Sequence, residues 1–251
     1  MEIDGVYFTS PNRRPPKSED RGEIDEILSR NIPLSYSSTA NICGAKIRLR
    51  TNSKHVFEWW KLNWFLEEDS KPDGTIYVIK GVEGYEPHLF FDLERRIILI
   101  VNSEYYGAVK SAGALGLAGE ILKERGMYSI HGGCFGIEKN GLLEGGLIIA
   151  PTGTGKTTQL HEIWWNIHTS KVHSDDYVFI KFEDQPIALA TEKQLYMRTD
   201  IAENHPIFIE IFQNLPLENV VIRKEDCYQR PSKDGVIGPC YREVLEGKRK
   251  C

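Results

Sequence analysis

The sequence predicts an α/β chain: an α+β N-terminal lobe followed by a domain with a mixed or antiparallel sheet. Three observations carry the prediction. Short apolar or alternating runs at 45–50, 74–80, 88–92 and 96–101 have the period and bounding turn residues of strands. A helical run at 104–125, carrying Ala112, Ala114, Leu115, Leu117, Ala118, Ile121 and Leu122, stops at Gly126. Beyond it, 128–137 and 142–150 read as two strands joined around Asn140-Gly141, a strong hairpin signal, so the segment after residue 150 leaves an antiparallel partner.

In chain order, 1–38 is expected to be an irregular arm. It carries Pro11, Pro15, Pro16 and Pro33 around a charge-rich middle, with at most one short helix at 23–29. The N-terminal lobe spans 39–126. In it, 54–67 reads as a helix bearing Val56, Trp59, Trp60, Asn63 and Trp64 on neighbouring turns, a spacing that packs aromatics inward rather than offering them to nucleic-acid bases. The second domain spans 127–251. After its hairpin come a helix at 158–168 and strand material at 187–190 and 194–198.

The hairpin runs into Ala150-Pro151-Thr152-Gly153-Thr154-Gly155-Lys156-Thr157, followed by Thr158, which fits the relaxed phosphate-loop pattern. Gly153 and Gly155 allow successive backbone N–H groups to turn onto phosphate oxygens. Lys156 has the length to reach the terminal phosphates, and the Thr157 hydroxyl is a Mg²⁺ ligand. A strand before the loop and a helix after it are the context that the chemistry requires, and they imply a nucleoside triphosphate.

One helix and a turn beyond the loop comes Asp175-Asp176, at the head of the next strand. Beside a loop that holds Mg²⁺, one carboxylate of the pair binds the metal while the other accepts a proton from an attacking hydroxyl. Two carboxylates in one site repel, and the one farther from the metal is expected to have the higher pKa and to act as the base. Phosphoryl transfer also calls for positive charge on the equatorial and bridging oxygens. Arg198, the first arginine after the pair, is the leading candidate, with Arg223 and Arg230 as alternatives.

Taken together, 129–133 (Ser-Ile-His-Gly-Gly), 146–158 and 174–178 (Ser-Asp-Asp-Tyr-Val) resemble the catalytic domain of HPr kinase/phosphorylase, whose fold is shared with phosphoenolpyruvate carboxykinase. The resemblance implies a carboxykinase-type phosphate-loop catalytic domain in which residues 151–158 bind ATP and Thr157 and Asp175 hold Mg²⁺. It also implies that the Asp175-Asp176 pair supplies the general base, Asp176 being the first choice and Asp175 the alternative, that His131 belongs to the active site directly or through a neighbour, and that an arginine near Arg198 meets the γ-phosphate. Two departures stand out. Thr158 replaces the acidic residue usual after the Lys-Ser pair, as in the carboxykinases, and the C-terminal docking pattern of HPr kinase is not evident in 226–251. A chain of 251 residues also lacks room for the large substrate domain of a carboxykinase. The expectation is a small ATP-dependent kinase acting on a hydroxyl of a metabolite or a protein serine. The rival is a nucleotide-binding regulatory module that transfers no phosphate.

The global numbers fit a cytoplasmic enzyme. Hydrophobic content is 41%, charged content 27% and net charge −5, so no basic tract points to nucleic acid. No apolar run approaches the ~18 residues of a membrane span, and 1–5 do not open a signal segment. The five cysteines, Cys43, Cys134, Cys227, Cys240 and Cys251, are odd in number and widely spread, as reduced thiols are, with a Cys227/Cys240 pairing or metal site as the other option. Nothing in the sequence sets the oligomeric state, and a homo-oligomer stays open.

Overall fold

A computed structural model describes residues 11, 15–67, 71–151 and 154–194. The chain divides into two compact units, Met1–Leu195 and Tyr196–Cys251, and all the described residues lie in the first. That unit is mixed α/β and contains two sheets.

The first sheet has six strands. A hairpin joins β1 (Tyr36–Ile42) to β2 (Ala45–Thr51), turning at Cys43 and Gly44, both with positive φ. Helix α1 (Asp20–Ser29) precedes the hairpin, and α2 (Lys54–Asn63) follows it. β3 (Phe65–Leu66) pairs back on β1. β4 (Gly74–Ile79) and β6 (Ile97–Val101) run parallel to β2, and β5 (His88–Asp92) closes the edge, giving the order β3-β1-β2-β4-β6-β5.

Strand alternation sends the side chains to two covered faces. Leu99, Val101 and Ile79 pack with Ile24 and Ile27 of α1. Ile76, Val78, Ile98 and Ile100 pack with Trp59, Trp60 and Trp64 and with the helical run that follows β6. The aromatic stripe of α2 is therefore core, as its spacing implies. The helix ends at Asn63, short of the expected residue 67, because Trp64 turns extended and delivers Phe65 and Leu66 to β1. α1 begins three residues before the expected start. Its buried Asp20 accepts from the Phe91 N–H at 3.1 Å, a tie from helix to β5 that no periodicity encodes.

The expected helix at 104–125 is a π-helical segment, Ala108–Leu115, continuing into α3 (Gly116–Lys123), with Gly126 at φ +75° just after it. The run lies between the two sheets. Leu117, Ala118, Ile121 and Leu122 share one core with the first sheet and with Phe179 of the second.

The second sheet is built on β7 (Met127–Lys139). β8 (Leu142–Ile149) pairs antiparallel with residues 132–139 of β7 across an Asn140-Gly141 turn, and both turn residues have positive φ, the requirement of a type I′ hairpin. After α4 (Lys156–Asn166), β9 (Ser170–Ser174) and β10 (Tyr177–Lys181) follow one another along the opposite edge of β7, and β11 (Ile187–Ala190) pairs with β10. Among the described residues no helix is long and apolar enough to cross a membrane.

Candidate phosphate-loop site

The loop leaves β8 at Ile149 and enters α4 at Lys156. Gly155 stands at φ +92°, a left-handed conformation that other residues rarely adopt, and its carbonyl accepts from the Gln159 N–H at 2.9 Å. The Thr154 hydroxyl donates to the Pro151 carbonyl at 2.7 Å. Lys156 is only 9% exposed, and its ammonium donates to the Ala150 and Pro151 carbonyls at 2.9 and 3.3 Å. The first N–H groups of α4 and its positive dipole end face the loop, the arrangement that attracts phosphate. Thr158 is exposed on the first turn of α4, and Thr152 and Gly153 lie outside the described residues.

Two glycines of β7 bring this helix close. A Cβ on Gly133 would come within 3.2 Å of Leu160 of α4, and one on Gly132 within 2.6 Å of the Ile148 carbonyl. The His-Gly-Gly run therefore seats both the loop strand and the helix, with His131 next in line on β7.

Asp175 and Asp176 occupy the break between β9 and β10. The register passes from Ser174 opposite Cys134 to Tyr177 opposite His131, so the pair faces Gly132 and Gly133, and the Gly132 N–H donates to the Asp176 carbonyl at 3.0 Å. The sequence expectation of a pair heading a strand holds for β10, but β9 precedes it on the same edge. Their side chains part. Asp175 lies beside Thr157, whose hydroxyl favours its charged form, and couples electrostatically to His161, one turn further along α4. Its Oδ1 is buried without a hydrogen-bond partner. Asp176 places Oδ1 3.0 Å from His131 Nε2 and Oδ2 2.8 Å from Lys110 Nζ. The Tyr177 ring stacks on His131 at 5.3 Å.

These surroundings set the charges. Burial pushes the Asp175 carboxyl up, outweighing the opposing influence of the Thr157 hydroxyl and His161. Burial also acts on Asp176, but Lys110 and His131 together overcome it and hold that carboxyl below its ordinary range. The expected order, with Asp176 the weaker acid, is thus reversed in the protein alone, because the lysine beside Asp176 has no signature near the motif. Burial disfavours the Lys110 ammonium, yet Glu192 and Asp176 more than compensate and raise its pKa. Glu192 is itself raised by burial.

Lys110, Glu192 and His161 are the site residues that sequence reading missed. An apolar-face lysine within a helical run and a lone glutamate after a strand carry no pattern, and only His161, four residues after Thr157 on the loop helix, could have been placed by helical spacing. The structure brings Lys156, Thr157, Asp175, Asp176 and His131 together. Arg198, Arg223 and Arg230 lie outside the described residues, as do Cys227, Cys240 and Cys251; Cys43 and Cys134 are free thiols.

Among the described residues no three His, Cys, Asp or Glu side chains form a metal cage. The Thr157–Asp175 pair nevertheless fits Mg²⁺, which takes only one or two protein oxygens and completes its shell with phosphate and water. The partnerless Asp175 Oδ1 is an oxygen of the right kind in the right place. No protein-family model matches the chain, and no curated protein matches its sequence.

Proposed function

We propose that this chain is an ATP-dependent kinase that transfers the γ-phosphoryl group to a hydroxyl of a small metabolite or a protein serine in the cytoplasm. The observation that carries the reading is the division of the aspartate pair: Asp175 against Thr157 of the loop, Asp176 against His131 and Lys110. A nucleotide-binding module needs the first arrangement only, whereas a transferase needs a carboxylate beside the metal position as well. The three-part resemblance to HPr kinase/phosphorylase supports the same reading.

The loop N–H groups and Lys156 bind the triphosphate, with the ammonium exchanging the carbonyls of residues 150 and 151 for phosphate oxygens. Thr157 and Asp175 would hold Mg²⁺, which would supply neutralisation of phosphate charge when bound. The acceptor oxygen attacks the γ-phosphorus, its proton passes to an Asp176 carboxylate oxygen, and the bond to the β-phosphate oxygen breaks with its electron pair leaving on ADP. His131 orients Asp176 through the Nε2 contact. A carboxylate held below its ordinary pKa still serves, because in a loose transition state the hydroxyl acidifies late.

The regulatory reading is favoured by one feature: both oxygens of Asp176 are already engaged, Oδ2 by the Lys110 ammonium and Oδ1 by the His131 ring. The test is transfer of label from γ-labelled ATP to hydroxylated metabolites and serine peptides, with binding followed by calorimetry. Lys156→Ala is expected to remove productive nucleotide binding without unfolding the chain, since the lysine supplies charge more than packing. Unchanged Mg-ATP affinity and turnover in that variant would remove the phosphate-loop assignment. Tight Mg-ATP binding with no acceptor found would select the regulatory module.

A further inference from the structure

We propose that Lys110 is a positioning residue for phosphoryl transfer, fixing Asp176 and through it His131 beside the phosphate loop. The inference rests on the kinase reading above. Lys110 is 7% exposed, and an ammonium so buried is tolerated only with charged partners. Asp176 Oδ2 lies at 2.8 Å and Glu192 Oε2 at 3.3 Å, with Glu192 Oε1 accepting from Asn63 Nδ2 at 3.1 Å. Asp176 therefore has Oδ1 against the His131 ring and Oδ2 against the Lys110 ammonium, and its carboxylate plane is fixed from both sides.

The lysine's anchorage lies elsewhere in the fold. It follows Ala108 and Val109, both fully buried in the core of the first sheet, on a π-helical segment, a rare geometry that recurs at functional sites. The second carboxylate is anchored as well. The residues around Glu192 dock on the end of α2, with the Lys193 N–H donating to the Asn63 carbonyl at 2.9 Å and the Thr191 hydroxyl to the Tyr177 carbonyl at 2.9 Å. Lys110 thus connects a rigid core to the carboxylate that the reaction uses, and without it Asp176 and Glu192 would both lose the ammonium they share. Stability alone does not call for such a lysine, since well-packed apolar residues commonly replace buried ion pairs at no loss.

The test uses the full chain with Mg-ATP and water as the acceptor, reading phosphate release and, separately, Mg-ATP affinity. Lys110→Met is expected to lower kcat by about 10²-fold, the cost of misplacing a reacting group by about 1 Å, while KM and Kd for Mg-ATP stay within about threefold. Lys110→Met added to Asp176→Asn is expected to cost nothing further, because the lysine acts through that carboxylate. If Lys110→Met does not fold, Lys110→Met combined with Glu192→Gln removes the unpaired carboxylate and is read in its place. Wild-type kcat in the lysine variant, or losses that multiply in the Asp176→Asn background, would overturn the proposal. Sensitivity to Asp176→Asn without sensitivity to Lys110→Met sinks this inference alone. No transfer by the wild type to water, to hydroxylated metabolites or to serine peptides, or none that depends on Asp176, sinks the kinase reading and this inference with it.

Discussion

In the six-stranded sheet, side chains alternate between two covered faces, and residues such as Ile76, Leu99 and Ile100 are shielded to within 0% of solvent contact. On β8 of the second sheet, Leu142, Leu143 and Ile149 are 60–70% exposed, and α4 beside it exposes Trp164 and Trp165 by nearly half. The first sheet buries apolar area; the second gathers His131, Asp175 and Asp176 around glycines and a loop. Most of the hydrophobic stabilisation therefore belongs to the first sheet, which leaves the second free to keep costly features: a partnerless carboxylate oxygen, a left-handed glycine and a buried lysine.

The largest effect that would break this contrast is in the core. Trp60→Ala is expected to cost about 3–5 kcal/mol in chemical denaturation, the usual loss for a large buried aromatic, whereas Leu143→Ala should stay within about 0.5 kcal/mol. Equal losses would mean that the second sheet carries as much of the fold as the first.

The adjacent aspartates sharpen the contrast within the second sheet. Asp176→Asn should lower phosphoryl transfer by about 10²-fold and cost about 1–2 kcal/mol, a figure reduced for partial solvent screening, because Lys110 loses a partner. Its carboxyl is held low in the fold, so the stability it adds is present above the ordinary carboxylate value of about 3.9 and lost as pH falls through the folded value. Asp175→Asn should do the opposite to stability. With the folded pKa raised, the folded chain binds more protons than the unfolded one between the two values, so the wild type loses stability as pH rises through that window. Thermal melts without added metal, run from about pH 4 to 8, should show the asparagine variant gaining on the wild type across it. A variant that loses stability instead would place a compensating cation at Asp175.

The smallest effect lies at the hairpin turn. Gly141 has φ +78°, and Gly141→Ala is expected to cost about 1 kcal/mol by denaturation while leaving the strand register intact. A near-neutral result would show that β8 tolerates a different turn.

The parts of the fold visible in the sequence are those with local causes. Asn140-Gly141 specifies its turn, the spacing of Trp59, Trp60 and Trp64 specifies a buried face, and residues 150–157 specify a strand–loop–helix unit. β1 was not legible because its Ser38 and Thr39 are buried polar residues with no alternation to read, and their strand is made by pairing with β2. The break between β9 and β10 was not legible either, because it depends on register along β7. The candidate site divides in the same way. Motif spacing brought out Thr157, Asp175 and Asp176, but the lysine that holds the Asp176 carboxyl low comes from the helical run before the hairpin, and its second partner, Glu192, from the segment after β11.

Phe179 lies three residues beyond Asp176 on β10, yet it is fully buried in the core shared by α3 and the first sheet. The strand that begins just after Asp176 is thus fastened by a side chain belonging to the core of the first sheet. Asp176 cannot drift out of place by local fraying of an edge while that ring stays seated. The site and the core should fail as one cooperative event, so that heating extinguishes the chemistry and the fold at a common midpoint rather than in sequence.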